Sequence, residues 1–316
     1  MLSGSSGNQN PCFTPPFSAW HRASDEPILG PRGTGFESRG VFNPAVIIHD
    51  GMFVMLYRAQ GFDHVSRIGY ATSGDGIHFT RHTEPVLIPK AECEERGGVE
   101  DPRLVQCDGV FYLTYTGYDR KKAQLCLAIS HDLIHWERKG VILPAYEGLW
   151  NVGWTKSGAI VSEKLCNRYW MYYLGEGPRH LAQMGVACSA DLVHWSDGLD
   201  RPVLGVRPGK FDSKVVEPGP PPVLLPQGIL LIYNGADDRR SYAPGWALFD
   251  RTDPTKVLAR ADKPILQVEC NWERSGKVPN VIFVEGLVRE RSRWIFYYGS
   301  ADTYIGVAMA TVPAGG

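Results

Sequence analysis

Short runs of β-branched and aromatic residues alternate with turn residues along this chain, and no long segment keeps a 3.6-residue period. The pattern predicts strands, and one strand type recurs five times: Met52 to Tyr57, Val110 to Tyr115, Tyr169 to Tyr173, Ile229 to Tyr233 and Trp294 to Tyr297. Four copies continue as Tyr-x-Gly, and the marker tyrosines Tyr57, Tyr115, Tyr173, Tyr233 and Tyr297 lie 58, 58, 60 and 64 residues apart. A second strand follows each, carrying Ala71, Ala128, Ala187, Ala247 and Ala308 at spacings of 57, 59, 60 and 61. Three copies then reach a Ser-x-Asp turn closed by an aromatic: Ser73 to Phe79, Ser130 to Trp136 and Ser189 to Trp195.

Units of this kind cannot bury both of their faces alone, so they pack radially. The reading is all-β: a single five-bladed β-propeller of about four strands per blade over residues 31–316, with residues 1–30 as an N-terminal arm or a strand that helps close the ring.

Composition agrees with this reading. The 316 residues include 35 Gly, 23 Pro, 9 Trp, 14 Tyr and 12 Phe, and 43% are hydrophobic, enough to build a sizeable core. A formal charge of −1 makes no electrostatic case for nucleic acid or an anionic membrane, so neither is expected as a partner. No apolar run approaches the roughly 20 residues of a bilayer span. The seven cysteines are scattered and form no C-x-x-C, and the N-terminus lacks a basic region followed by an apolar core. A cytoplasmic enzyme with reduced thiols and no cofactor is the expectation, its oligomeric state left open.

In a propeller the innermost strands begin at a common mouth. Just before the Tyr strands stand Asn43, Asp101, Lys156, Glu217 and Glu285, each beside or close to Gly or Pro. Asn43 to Tyr57 and Asp101 to Tyr115 both span 14 residues, so those two occupy equivalent places. Three carboxylates, a lysine and an asparagine converging on an aromatic-rich mouth suit glycosidic chemistry, in which one carboxyl donates a proton and another activates water. Structural capping is the plainer reading for any one of them, but caps have no reason to recur in every blade.

Other features carry less. His131 and His135 have a ligand-like spacing, yet His78 and His194 repeat the second position in the turns, which marks framework and not metal. GxxxxGK[ST], HExxH and GxSxG are absent. Trp136 and Trp195 belong to the repeat, whereas Trp150 and Trp154 lie outside it near Lys156 and are candidate sugar platforms.

From about Asn43 to Ala310 the sequence resembles glycoside hydrolase family 130, the β-mannoside phosphorylases and β-1,2-mannosidases. The carriers are Gly98-Val99-Glu100-Asp101-Pro102-Arg103, Ser66 to Ala71, Pro218-Gly219-Pro220-Pro221-Pro222, Val278 to Phe283 and Tyr298-Gly299-Ser300-Ala301-Asp302. The resemblance implies a five-bladed propeller acting on small mannosides. It implies Asp101 as the general acid, working through a sugar hydroxyl, and Asn43, Arg58, Lys156 and Asp302 as substrate-binding residues; Tyr173 is a further substrate-binding candidate. Arg103 would orient the acid's loop.

Two departures bear on the branch. The phosphorylase pattern has a His-Arg pair where this chain has Tyr173-Leu174, and Tyr-His-Gly where it has Tyr233-Asn234-Gly235. Losing those cations and gaining Glu217 and Glu285 disfavours phosphate. The expectation is an inverting, exo-acting β-1,2-mannosidase in which Glu217, Glu285 or both activate water; a phosphorylase releasing mannose 1-phosphate and a non-catalytic carbohydrate-binding propeller are the alternatives. Arabinan- and fructan-type propellers need a carboxylate where Asn43 stands, and a sialidase needs an arginine triad that is missing.

Overall fold

A computed structural model describes residues 13–313. Its strands form a five-bladed β-propeller. The first blade holds Gly40–His49, Met52–Gln60, Ser66–Ser73 and Thr80–Arg81. The second holds Gly98–Cys107, Val110–Tyr118, Ala123–Ser130 and Glu137–Leu143. The third holds Thr155–Ile160, Tyr169–Gly177, Leu181–Ser189 and Trp195–Asp197. The fourth runs from the split inner strand Val215–Pro218 and Val223–Leu225 through Gly228–Ala236 and Tyr242–Phe249 to Val257–Arg260.

The fifth blade has only three consecutive strands, Ile282–Glu290, Arg293–Ser300 and Tyr304–Thr311. Its outer strand is His21–Arg22, which pairs antiparallel with the last strand, His21 opposite Met309 and Arg22 opposite Ala308. The two ends of the described chain thus share one blade, and this pairing fastens the ring. Inner strands pack against one another around the channel, the fifth against the first.

The core is divided. Five buried clusters each take residues from two adjacent blades: Val41, Met55 and Tyr57 meet Ile295, Tyr297 and Ile305, for example, and Leu125 and Leu127 meet Ile160, Met171 and Tyr173. A blade without its neighbours would leave both sheet faces wet, which is why the repeat requires the ring.

Both sequence markers have structural causes. Each marker alanine lies opposite a charged residue of the outer strand: Ala71 opposite Arg81, Ala128 opposite Arg138, Ala187 opposite Asp197, Ala247 opposite Arg260, and Ala308 opposite Arg22. A larger side chain there would crowd that residue, an arginine in four of the five blades.

In each blade a tyrosine of the second strand sends its hydroxyl to a carboxylate, buried in every blade but the third, where Asp197 is half-buried. Tyr115 donates to Glu94 at 2.7 Å, Tyr233 to Asp212 at 2.7 Å and Tyr298 to Glu273 at 2.9 Å, while Tyr57 donates to Glu37 and Tyr173 to Asp197. In four blades the outer-strand arginine closes the clamp, as in Arg138 to Glu94 at 3.1 Å and Arg22 to Glu273 at 2.7 Å. The third blade departs, since Asp197 occupies the arginine's own place.

In the fifth blade the structural counterpart is Tyr298, one residue after the Tyr297 that the spacing selects. Tyr298 faces Gly306 as Tyr57 faces Gly69. A Cβ at Gly69 would lie 2.4 Å from the Tyr57 ring, and one at Gly306 would lie 2.3 Å from Tyr298, so glycine makes room for the clamp. Tyr297 instead donates to the carbonyl of Gly76 at 2.8 Å, tying the fifth blade to the first.

Candidate active site

Bulges near the starts of the inner strands aim side chains into the mouth. The ladder of the first blade slips between Phe42 and Pro44, that of the second between Glu100 and Arg103, that of the third between Lys156 and Ala159, and that of the fifth between Val284 and Gly286. Asn43, Asp101 and Ser157 sit in three of these bulges with φ of 52°, 52° and 58°, a conformation that costs an L-residue energy and is kept where packing over-determines it. The third-blade counterpart of Asn43 and Asp101 is therefore Ser157, with Lys156 one residue before it.

Asp101 is the centre of the arrangement. It is 7% exposed and accepts from Asn43 Nδ2 at 2.8 Å and Arg58 Nη1 at 3.0 Å. Gly299 permits this approach, because a Cβ there would lie 2.1 Å from Asn43 Oδ1. Arg58 also pairs with Glu100 through Nη2 and donates from Nε to Ser66 at 3.0 Å. Burial alone would raise Asp101, but Arg58, Lys156 and Arg103 outweigh it and hold the carboxyl below the usual aspartate range.

The other mouth carboxyls go the opposite way. Burial raises Glu100, Glu217 and Asp302, with nearby arginine and lysine only partly offsetting it. Glu217 is 8% exposed and accepts from the Ser157 hydroxyl. Asp302 stands in the turn between the last two strands with φ of 50°, close enough to feel Arg58 and Lys277. The charge of Lys156 bears on Glu100, Asp101, Glu217 and Asp302 alike, and among the described residues it forms no ion pair.

Two expected members stand apart. Glu285 is in a bulge, as its place in the repeat implies, but it is fully buried beneath the fully buried Arg103. Arg103 Nη2 lies 3.0 Å from Glu285 Oε1, yet its guanidinium hydrogens go to the carbonyls of Pro218 (2.8 Å), Gly219 (3.0 Å) and Asp101 (3.1 Å). Neither oxygen of Glu285 accepts a hydrogen bond, and burial drives its proton affinity well up. That placement leaves Glu285 no room to activate water, and makes Arg103 the strut that holds the Asp101 backbone.

Tyr173, expected to bind substrate, is fully buried, with its hydroxyl on Asp197 and its ring against Trp150. It is the third blade's clamp tyrosine and does not reach the mouth. Trp150 shares that role, whereas Trp154 stays at the mouth with its ring centroid 5.1 Å from Lys156 Nζ. The turn histidines His78, His135 and His194 each meet the turn aspartate at 2.7 Å, which is framework.

Lys277 and Tyr242 were not legible as site residues. Lys277 donates to Gln60 at 3.1 Å and lies over the Phe42 ring beside Arg58, and burial lowers its affinity for a proton. Tyr242 is surrounded by the charges of Glu217, Asp302 and Asp101. Lys277 comes from the connection before the fifth blade and Tyr242 opens the strand Tyr242–Phe249, three residues before the repeated Gly245-Trp246-Ala247. Lys277 directly precedes Val278-Pro279-Asn280, the one local signal that could have marked it.

The arrangement can donate a proton from Asp101, hold a polyhydroxylated ring with Asn43, Arg58 and Asp302, and present Glu217 and Lys156 to an attacking group. Known proteins similar to this chain act on mannosides. The family described as beta-1,4-mannooligosaccharide phosphorylase, glycoside hydrolase 130, matches residues 30–313. The chain is 40% identical to a 1,2-beta-oligomannan phosphorylase of Thermoanaerobacter sp. (strain X514), over 91% of this chain and 96% of that one. It is 36% identical to a beta-1,2-mannobiose phosphorylase of the same organism, again over 91% and 96%.

A solved structure with a TM-score of 0.83 and 34% identity covers 93% of this chain and 94% of its own. It is described as showing that the GH130 family of mannoside phosphorylases contains glycoside hydrolases that target beta-1,2 mannosidic linkages in Candida mannan. By overall similarity the phosphorylase alternative is better supported than the hydrolase the site residues suggested. No helix among the described residues is long and apolar enough to cross a membrane.

Proposed function

The chain belongs to glycoside hydrolase family 130, and on that premise we propose that it removes terminal β-1,2-linked mannosyl units by inverting displacement, with Asp101 as proton donor and water as acceptor. The observation that carries the choice of water is Glu217, a carboxyl at the mouth held by Ser157 and facing Lys156 and Asp101. Phosphate needs several uncommitted cations. Here Arg58 is taken by Glu100 and Asp101, Arg103 by backbone carbonyls, and Lys277 by Gln60, so Lys156 stands nearly alone. Asn234, where the phosphorylase pattern has histidine, is fully buried and exchanges two hydrogen bonds with Val284, at 3.0 and 2.8 Å, so it offers nothing to an anion.

The working form has the proton on Asp101 and Glu217 ionised. Because Asp101 is held low and Glu217 raised, this is the minor singly protonated form of the free enzyme, and kcat/KM is bell-shaped with its acid limb set by Asp101 and its alkaline limb by Glu217. Asn43, Arg58 and Asp302 orient the terminal sugar, and Glu217 draws a proton from water as it attacks the anomeric carbon.

Phosphorolysis is the second reading, favoured by the two phosphorylases at 40% and 36% identity. In it Lys156 would receive the phosphate and mannose 1-phosphate would leave. Incubation with β-1,2-mannobiose, with and without millimolar phosphate, separates the two. Free mannose at a rate indifferent to phosphate, cut about a hundredfold by Glu217→Gln, supports hydrolysis. Mannose 1-phosphate formed only with phosphate overturns it.

A further inference from the structure

Beside Lys156, on the face where the inner strands begin, three aromatic rings stand where nothing in the proposed cleavage uses them. Trp154 comes from the connection between the second and third blades, Tyr146 from the same connection, and Tyr118 from the end of the second blade's Val110–Tyr118 strand. Tyr118 and Trp154 have ring centroids 6.1 Å apart, and Trp154 Nε1 donates to the Tyr146 hydroxyl at 3.0 Å. Lys122 lies over the Tyr146 ring at 5.8 Å, and Lys156 over Trp154 at 5.1 Å. Tyr146 is 49% exposed and the adjoining Leu149 68%, so this group borders solvent.

The group is also held rigidly. The backbone amide of Gly153 donates to the Glu176 carbonyl at 2.8 Å, and the amide of Glu176 donates to the Trp154 carbonyl at 2.9 Å. The Tyr146 amide donates to the Gly153 carbonyl at 2.8 Å, closing the loop on itself. Such fixing is the condition under which an aromatic ring contributes to binding without paying to be ordered. With the indole N–H already satisfied, what remains on offer is ring face flanked by ammonium groups, which suits the C–H face and hydroxyls of a pyranose.

Position around the ring gives the direction. The groups assigned to the terminal sugar, Asp302, Arg58 and Asn43, stand on the fifth and first blades, and the acid Asp101 stands on the second. The aromatic group lies at the junction of the second and third blades, past the acid on the side away from those three.

We propose that Trp154, Tyr146 and Tyr118 form a binding wall for the leaving-group part of a longer mannan chain, so that the enzyme selects oligomers over the disaccharide. This rests on the proposed cleavage of β-1,2-mannosides. Binding can nevertheless be read without turnover.

In the Asp101→Asn protein, titration with β-1,2-mannotetraose should change the tryptophan fluorescence, and adding Trp154→Ala should weaken that binding about tenfold, with Trp154→Phe restoring most of it. In the active enzyme, Trp154→Ala should raise KM for the tetraose at least several-fold more than KM for the mannobiose, with kcat for the tetraose little changed. Equal effects on both lengths, or tetraose binding indifferent to Trp154, overturn the wall. If β-1,2-linked sugars do not bind at all while β-1,4-mannotetraose binds in a Trp154-dependent way, the wall stands and the linkage assigned above falls.

Discussion

Glu273 and Glu285 flank the start of the fifth blade, both fully buried and both near an arginine, yet the fold holds them in opposite states. Glu273 accepts from Tyr298 at 2.9 Å, from Arg22 at 2.7 Å through two nitrogens, and from the amides of Glu269 and Cys270 at 2.7 and 2.9 Å. Burial would raise it, but those donors outweigh burial and keep it below the usual glutamate range. Glu285 accepts nothing, and burial takes it well above that range. Glu94 repeats the first pattern, with Tyr115, Arg138 and the amides of Lys90 and Ala91 around it.

The difference shows how one ring can use the same residue type for two ends. Carboxylates between blades are fully hydrogen-bonded and act as fasteners. Carboxyls at the inner-strand starts are held unevenly: Glu285 has no donor and Glu217 only Ser157, and burial raises both, whereas Asn43 and Arg58 keep Asp101 low.

The largest effect should come from the mouth. Asp101→Asn should lower turnover about a thousandfold or more, while thermal melting stays close to the parent. Melting lowered in step with activity would mean that Asp101 belongs with the fasteners. Next in size, Glu273→Ala should cost about 3 kcal/mol or more in urea unfolding, because it strands Arg22 and the Tyr298 hydroxyl. Its activity per folded molecule should remain near that of the parent.

The smallest effect sharpens the contrast through pH. Glu273, held low, contributes stability that is present above its unfolded value and lost as pH falls through its folded one. Glu285, held high, binds its proton more tightly folded than unfolded, so its contribution is present at low pH and lost as pH rises towards its folded value. Glu285→Gln, a near match for the neutral acid, should change stability at neutral pH by about 1 kcal/mol or less and flatten the decline on the alkaline side. Glu273→Gln should flatten the acid-side decline instead. Melting curves at several pH values would separate the two, and a large neutral-pH loss in Glu285→Gln would show an ionised pair with Arg103.

Much of this architecture was legible without coordinates. The Ala markers repeat because each blade packs a charged outer-strand residue against that position, an arginine in four of them, and the Tyr markers because four of the five are clamp tyrosines; a constraint of that kind leaves a period in the chain. The same local logic exposed Asn43 and Asp101, whose bulges fall at equal distances from their tyrosines.

What could not be read was which neighbour a side chain meets. Tyr173 and Glu285 have the composition and spacing of site residues, but one points to Asp197 and the other lies under Arg103. The partners of the clamp acids Glu37, Glu94, Asp212 and Glu273 sit 20 to 25 residues away for the tyrosine, and Arg22 reaches Glu273 from 251 residues away. Lys277 and Trp154 come from connections that differ from blade to blade, so no period marks them.

The sequence by itself determined the number of blades, their strands and the equivalent places of Asn43 and Asp101, since these depend on local alternation and on a constraint repeated in each unit. Only the tertiary structure decided which acids are satisfied, how the ring is fastened through His21–Arg22, and which rings border the mouth. Those outcomes depend on desolvation and on donors brought from distant parts of the chain, quantities that exist only once the blades have closed.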